Sequence, residues 1–124
     1  VRCDIPIQKK VQTGESVELH SGSVQLKVRP SDVILVLSDN HHVIIRTYSG
    51  VCRLRSSFSC VRSVLEGSGC SFVLVNRGIL VNLAHVRTAI SGCLSMCDGS
   101  TVPVRKKSRR QIAAAVLQYR LLHE

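Results

Sequence analysis

Apolar and polar residues alternate with a period of two along much of this chain, and that alternation marks strands. Val24-Gln25-Leu26-Lys27-Val28 puts its apolar side chains on one face, as a half-buried strand does. Pro30-Ser31-Asp32 breaks the chain before Val33-Ile34-Leu35-Val36-Leu37, a denser run rich in β-branched residues. Ser38 to His42 is a polar tip. Val43 to Tyr48 follows, and Ser49-Gly50 turns into Val51 to Arg55, so two linked hairpins are expected.

The period then changes. Ser57 is placed to cap a short helix whose apolar face is Phe58, Val61, Val64 and Leu65, with Gly67-Ser68-Gly69 ending it. Strands resume at Phe72 to Val75, Ile79 to Val81, Val86 to Ile90, Cys93 to Met96 and Thr101 to Val104. Asp98-Gly99 supplies the turn between the last two. Ser108 and Gln111 have capping-box spacing, and Ile112, Ala115, Val116, Tyr119 and Leu122 form a helical stripe behind them. The predicted fold class is mainly β, with antiparallel sheets, one short internal helix and one C-terminal helix. Residues 1–22 read as an N-terminal lead-in and 23–124 as one domain.

Composition adds a core and a charge. At 124 residues and 44% apolar, the chain has enough apolar surface for a single packed domain. Its 17 Lys and Arg against 8 Asp and Glu give a formal +9, which attracts polyanions such as nucleic acid or anionic lipid. No apolar run approaches the ~20 residues of a membrane span, so no membrane insertion is expected of this segment. The start, Val1-Arg2-Cys3-Asp4, carries neither an initiator Met nor a signal-peptide pattern and reads as a cut from a longer chain. Cys52, Cys60, Cys70, Cys93 and Cys97 lie within or beside apolar stretches. They are expected to be reduced thiols of a cytoplasmic protein, acting as small hydrophobes rather than as a disulfide framework.

Catalytic and metal chemistry find little support. The carboxylates sit mostly near turns or termini, and Gly67-Ser68-Gly69 is too short for a phosphate loop. Cys93 and Cys97 on one extended strand would stand about 13 Å apart. A single zinc needs its sulfurs at about 2.3 Å from the metal, so a pair held that way cannot share one. Adjacent His41 and His42 would point to opposite faces of a strand. No enzyme, metal or cofactor is therefore expected.

Three polar or basic segments interrupt the strands: Asn40-His41-His42, Asn76-Arg77-Gly78 and Arg105-Lys106-Lys107-Ser108-Arg109-Arg110. The last is placed against stability. Its cations flank a helix start, where the macrodipole disfavours each by about 0.3–1 kcal/mol when exposed. Phosphate, by contrast, is attracted to a helix N-terminus, and basic neighbours reinforce that. Single-stranded nucleic acid is less favoured, because it is bound on aromatic platforms and this chain has only Tyr48, Phe58, Phe72 and Tyr119.

From Asp32 to about Tyr119 the chain resembles the LytTR family of bacterial DNA-binding domains. The strongest segment runs Phe72-Val73-Leu74-Val75-Asn76-Arg77-Gly78-Ile79-Leu80-Val81-Asn82-Leu83, followed by Val86. It is similar to the family pattern of an aromatic, a His-basic-Ser turn and an apolar-Val-Asn run. Leu94, Asp98-Gly99 and Val102-Pro103-Val104 match the family's next segments, and Asp32-Val33-Ile34 and the Ser49-Gly50 hairpin fall in the expected order. There are departures: Asn76 stands for the usual His, Gly78 for the usual Ser, and Arg105 where Ser is common.

The resemblance implies an elongated fold of antiparallel strands whose loops, rather than a recognition helix, enter successive grooves of double-stranded DNA. It implies binding at direct repeats, with a second copy on repeated sites, and an upstream receiver or sensor domain in a two-component response regulator. Position by position, it assigns contacts to His42, Arg77 and Lys106, with Arg105 as the alternative to Lys106. Arg77 and the Arg105/Lys106 pair are expected to read base edges, and Lys107, Arg109 and Arg110 to hold phosphates; Asn40, His41 and Asn76 complete the expected surface. Asn82 is expected to satisfy buried backbone groups instead. A basic β-rich protein-interaction module and an RNA-binding domain stay open as alternatives.

Overall fold

The computed structural model describes residues 16–21 and 24–123, so most of the lead-in at 1–22, with Cys3, lies outside the described residues. Ten strands and two helices follow in chain order. They are β1 (Val17–Ser21), β2 (Val24–Val28), β3 (Val33–Asp39), β4 (His42–Thr47), β5 (Gly50–Leu54), α1 (Phe58–Glu66), β6 (Phe72–Asn76) and β7 (Ile79–Asn82). The chain then continues through β8 (Val86–Ile90), β9 (Cys93–Met96), β10 (Thr101–Pro103) and α2 (Arg109–His123). The five-stranded sheet has the order β5-β4-β3-β7-β6; β10-β9-β8 and β1-β2 form two smaller sheets. Every pairing is antiparallel.

The five-stranded sheet is covered on both faces, and the dense apolar run of β3 is the reason it can be. Val33 and Val36 enter one buried cluster with Leu19, Val43, Ile45, Leu80 and the α1 residues Val61 and Leu65. Ile34 and Leu35 enter the other, with Val75, Val81, the second sheet's Val86, Leu94, Met96 and Val102, and the α2 residues Ile112 and Val116. Two consecutive residues share a face because the β3–β4 register shifts between Val33 and Leu35, a bulge that rotates the strand. In β6 the alternation is regular: Phe72 and Leu74 face the first cluster, Val73 and Val75 the second.

Ser57 caps α1 by accepting from the Cys60 amide at 3.1 Å. Val61 and Leu65 are buried under that helix, with Phe58 packed beside them, while Val64 is solvent-facing. The stripe of α2 is likewise narrower than its spacing predicts. Ile112 and Val116 are buried and Ala115 and Tyr119 half-buried, but Leu122 is 71% exposed. The Ser108–Gln111 capping box does not form either. Lys106–Ser108 is a 3-10 turn that feeds directly into α2, with no side-chain cap bond at Arg105.

Asn82 is 1% exposed. Its amide donates to the Pro30 carbonyl at 3.3 Å and the Val33 carbonyl at 3.0 Å, and its oxygen accepts from Ala84 N–H at 3.0 Å. It therefore ties the start of β3 to the end of β7, as a buried amide must when it gives up water.

Candidate nucleic-acid interface

Antiparallel pairing decides which loops meet. Leu37 pairs with Ile79, so the β3–β4 tip and the β6–β7 turn emerge at the same end of the five-stranded sheet. Val43 pairs with Leu54, which brings Arg55 and the end of β5 there too. The two turns are bonded to each other: Ser38 N–H donates to the Gly78 carbonyl at 2.8 Å. The basic segment joins them when Arg105 N–H donates to the Val75 carbonyl at 3.0 Å, at the end of β6.

Each turn has a local cause. Asn40 and His41 both take positive φ, 43° and 54°, the pair of values a two-residue type I′ hairpin demands. Asn tolerates this conformation better than most residues, and the His42 ring helps hold the tip through Nδ1, 3.1 Å from the Asn40 carbonyl. In the second turn Gly78 has φ +69, and a Cβ there would come within 2.8 Å of Ser38 Cβ. The departure from the family's Ser at this position thus follows from close contact between two loops. The Asn76 side-chain oxygen Oδ1 accepts from Arg77 N–H at 2.9 Å, and its side-chain Nδ2 donates to the Pro103 carbonyl at 3.4 Å. Asn76 therefore braces the turn that carries Arg77.

Two open depressions result. Asn76, Arg77, Arg105, Lys106 and Lys107 line one of about 800 Å³. Asn40, His41, His42, Arg53 and Arg55 line another of about 400 Å³. Arg77, Arg105, Lys106 and Lys107 are all exposed. Such a spread of cations around shallow, solvent-filled hollows suits an extended polyanion better than a small enclosed ligand.

Arg109 and Arg110 face a third hollow, of about 360 Å³, beside the Ser91-Gly92 turn. Arg109 Nε donates to the Val104 carbonyl at 3.3 Å, and its guanidinium lies over Gly92, where a Cβ would collide with it. This side chain is partly engaged in joining the β8–β9 turn to the start of α2. The structure thus brings Asn76, Arg77, Arg105, Lys106 and Lys107 together, sets Asn40, His41 and His42 next to them, and places Arg109 and Arg110 in a separate hollow.

Arg53 and Arg55 were not among the residues picked out from sequence. Arg53 pairs with Asp39 at 3.2 Å, both side chains well exposed, so the pair itself adds little stability. The available signal was the hairpin itself, since a strand returning from the β4–β5 turn must end beside the Asn40-His41 tip. Among the described residues no group of three or more His, Cys, Asp and Glu is arranged to hold a metal. Nor is any helix there long and apolar enough to cross a membrane.

Comparison with known proteins supplies the family. Residues 23–116 match the family described as the LytTr DNA-binding domain. Among solved structures, the chain is similar to the LytTr DNA-binding domain of a methyl-accepting/DNA response regulator from Bacillus cereus. That likeness has a TM-score of 0.62 at 20% identity, over 82% of this chain and 95% of the other. No curated protein matches the sequence. With most of its length matched by the family and its strands in the family's fold, the chain belongs to the LytTR family of DNA-binding domains.

Proposed function

We propose that this domain binds double-stranded DNA in a sequence-specific manner through the loop end of its five-stranded sheet, as the output portion of a bacterial transcription regulator. Arg77 and the Arg105/Lys106 pair enter the major groove and read base edges. The His42 tip, with Asn40 and His41, meets the adjacent stretch of duplex. Lys107, Arg110 and the remaining reach of Arg109 contact phosphates and set the register. Direct repeats would seat two copies, and a receiver or sensor domain in the same polypeptide would control them. Such a regulator works in the cytoplasm.

The observation that carries this reading is the convergence of Arg77, Arg105, Lys106 and Lys107 around one solvent-filled hollow, bonded to the neighbouring tip through Ser38 and Gly78. The β6–β7 turn and the Arg105 N–H bond to the Val75 carbonyl tie these segments to the sheet, which lowers the ordering cost of docking.

Selection from a random duplex library would supply the preferred site and its repeat spacing. On that site Arg77→Ala should lose about 1–3 kcal/mol of discrimination against a scrambled duplex, the value of a bidentate Arg–guanine contact. Lys107→Ala should weaken both duplexes alike. Equal losses on both duplexes after Arg77→Ala would remove its assigned reading role. Stronger competition by RNA of the same length than by duplex DNA would replace the proposal with an RNA-binding one.

A further inference from the structure

The opposite end of the five-stranded sheet carries a second cluster of chemistry-bearing side chains. His85, 6% exposed, lies in the turn between β7 and β8. Its Nε2 is 2.7 Å from the Ser31 carbonyl oxygen. A carbonyl only accepts, so Nε2 carries the proton and Nδ1 presents a lone pair. That lone pair faces Cys97 Sγ at 3.5 Å. The Tyr48 ring packs edge-on against the imidazole with centroids 4.8 Å apart, and its hydroxyl stands 3.9 Å from the same sulfur.

Three features hold this arrangement in place. Cys97 N–H donates to the His85 carbonyl at 2.8 Å, fixing the two residues' backbones together. Asp98, the next residue, is paired with Arg46 of β4 at 3.3 Å. Tyr48 N–H donates to the Asp32 carbonyl at 3.2 Å. The result is a thiol, a base aimed at it and a carbonyl orienting the base, the relation found around activated nucleophiles. Cys97 is half-buried, beside a Tyr48 that is 65% exposed, so small solutes can approach the sulfur.

We propose that Cys97 is a peroxide-oxidisable thiol with His85 as its general base. The Cys97 S–H proton moves to His85 Nδ1 while the sulfur attacks one oxygen of hydrogen peroxide. An S–O bond forms as the O–O bond breaks, and sulfur loses the two electrons that the peroxide gains. The departing hydroxide takes the proton from His85 and leaves as water, so one thiol and one peroxide give one sulfenic acid and one water. The Ser31 carbonyl, still accepting from Nε2–H, supports the transient imidazolium. Among the described cysteines only Cys97 has a histidine nitrogen within hydrogen-bonding distance of its sulfur. Burial raises the Cys70 thiol, opposed by a hydrogen bond with Ser68, while Cys60 and Cys93 are simply exposed.

Brief peroxide treatment of the folded chain, with sulfenic acid trapped by a dimedone reagent and read at each cysteine by mass spectrometry, tests this. Cys97 should label at least about tenfold faster than the more exposed Cys60 and Cys93, a modest share of what general-base assistance usually contributes. His85→Gln should remove that advantage and leave Cys60 and Cys93 unchanged. Cys70 monitors folding, because a collapsed variant would expose it to label. Should His85→Gln unfold, the unsubstituted chain in urea decides: Cys97 must then react at the rate of the other cysteines. Labelling of native Cys97 no faster than Cys60 and Cys93 would overturn the proposal. So would an advantage that survives His85→Gln in a folded protein, or survives urea.

Discussion

Single positions in the basic end are specified by contact between loops. Gly78 combines φ +69 with a close approach to Ser38, so restoring the family's serine there should destabilise the fold. Gly78→Ser is expected to cost about 1–2 kcal/mol from the left-handed backbone alone, read as a fall in the urea midpoint. Asn82 carries a different burden. Asn82→Ala orphans the buried Pro30 and Val33 carbonyls and frees the part-buried Ala84 amide, and should cost about 1–3 kcal/mol by the same measurement. A loss below about 0.5 kcal/mol would mean that water replaces the amide. The structural role of Asn82 was legible in the sequence, because an amide at the end of an apolar strand has few other uses. The reason for Gly78 was not, since its neighbour Ser38 lies forty residues away in the chain.

Elements were legible where the hydrophobic period is long and bounded by turn chemistry. All strands expected between Phe72 and Val104 are present, with the Asp98-Gly99 turn where the sequence put it. Helix faces were less so. The periodicity of α2 continues to Leu122, yet Leu122 is exposed at the edge of the buried stripe, and Leu117 and Leu121 are exposed on the opposite face of the helix. Hence Ile112→Ala should cost about 2–5 kcal/mol, whereas Leu122→Ala should stay within about 0.5 kcal/mol, compared by thermal unfolding. The cap of α1 is simpler. Ser57→Ala removes the oxygen that accepts from Cys60 N–H and should cost about 1 kcal/mol.

At the scale of the molecule, an ion pair connects the two larger sheets. Arg46 and Asp98 join the central sheet to the loop of the second sheet. The Asp98 carboxyl is held below its usual range, first by the Ser100 hydroxyl, then by the Ser100 amide and Arg46. A depressed carboxyl adds stability above its unfolded-state pKa and loses it as pH falls through the folded value. Asp98→Asn should therefore flatten the acid-side decline in the urea midpoint while leaving the protein less stable near neutrality. The proposed DNA contact would engage the whole basic end. With roughly 6–10 phosphate contacts, affinity for duplex DNA should fall about 10³–10⁵-fold between about 50 and 200 mM salt. A flat salt titration would favour a protein-interaction surface.

By itself the sequence determined the strands from Val24 onward, both helices, the polar or basic character of three interruptions and the family, because periodicity, turn residues and ordered motifs are local; β1, whose Leu19 enters the core, lay in the stretch read as a lead-in. Tertiary structure decided which interruptions meet. Antiparallel register carried Arg53 and Arg55 to the His41 tip, joined Arg77 to Arg105 through the end of β6, and brought His85 against Cys97 at the other end. Such encounters depend on pairing between residues far apart in the chain, and no window of local pattern contains both partners.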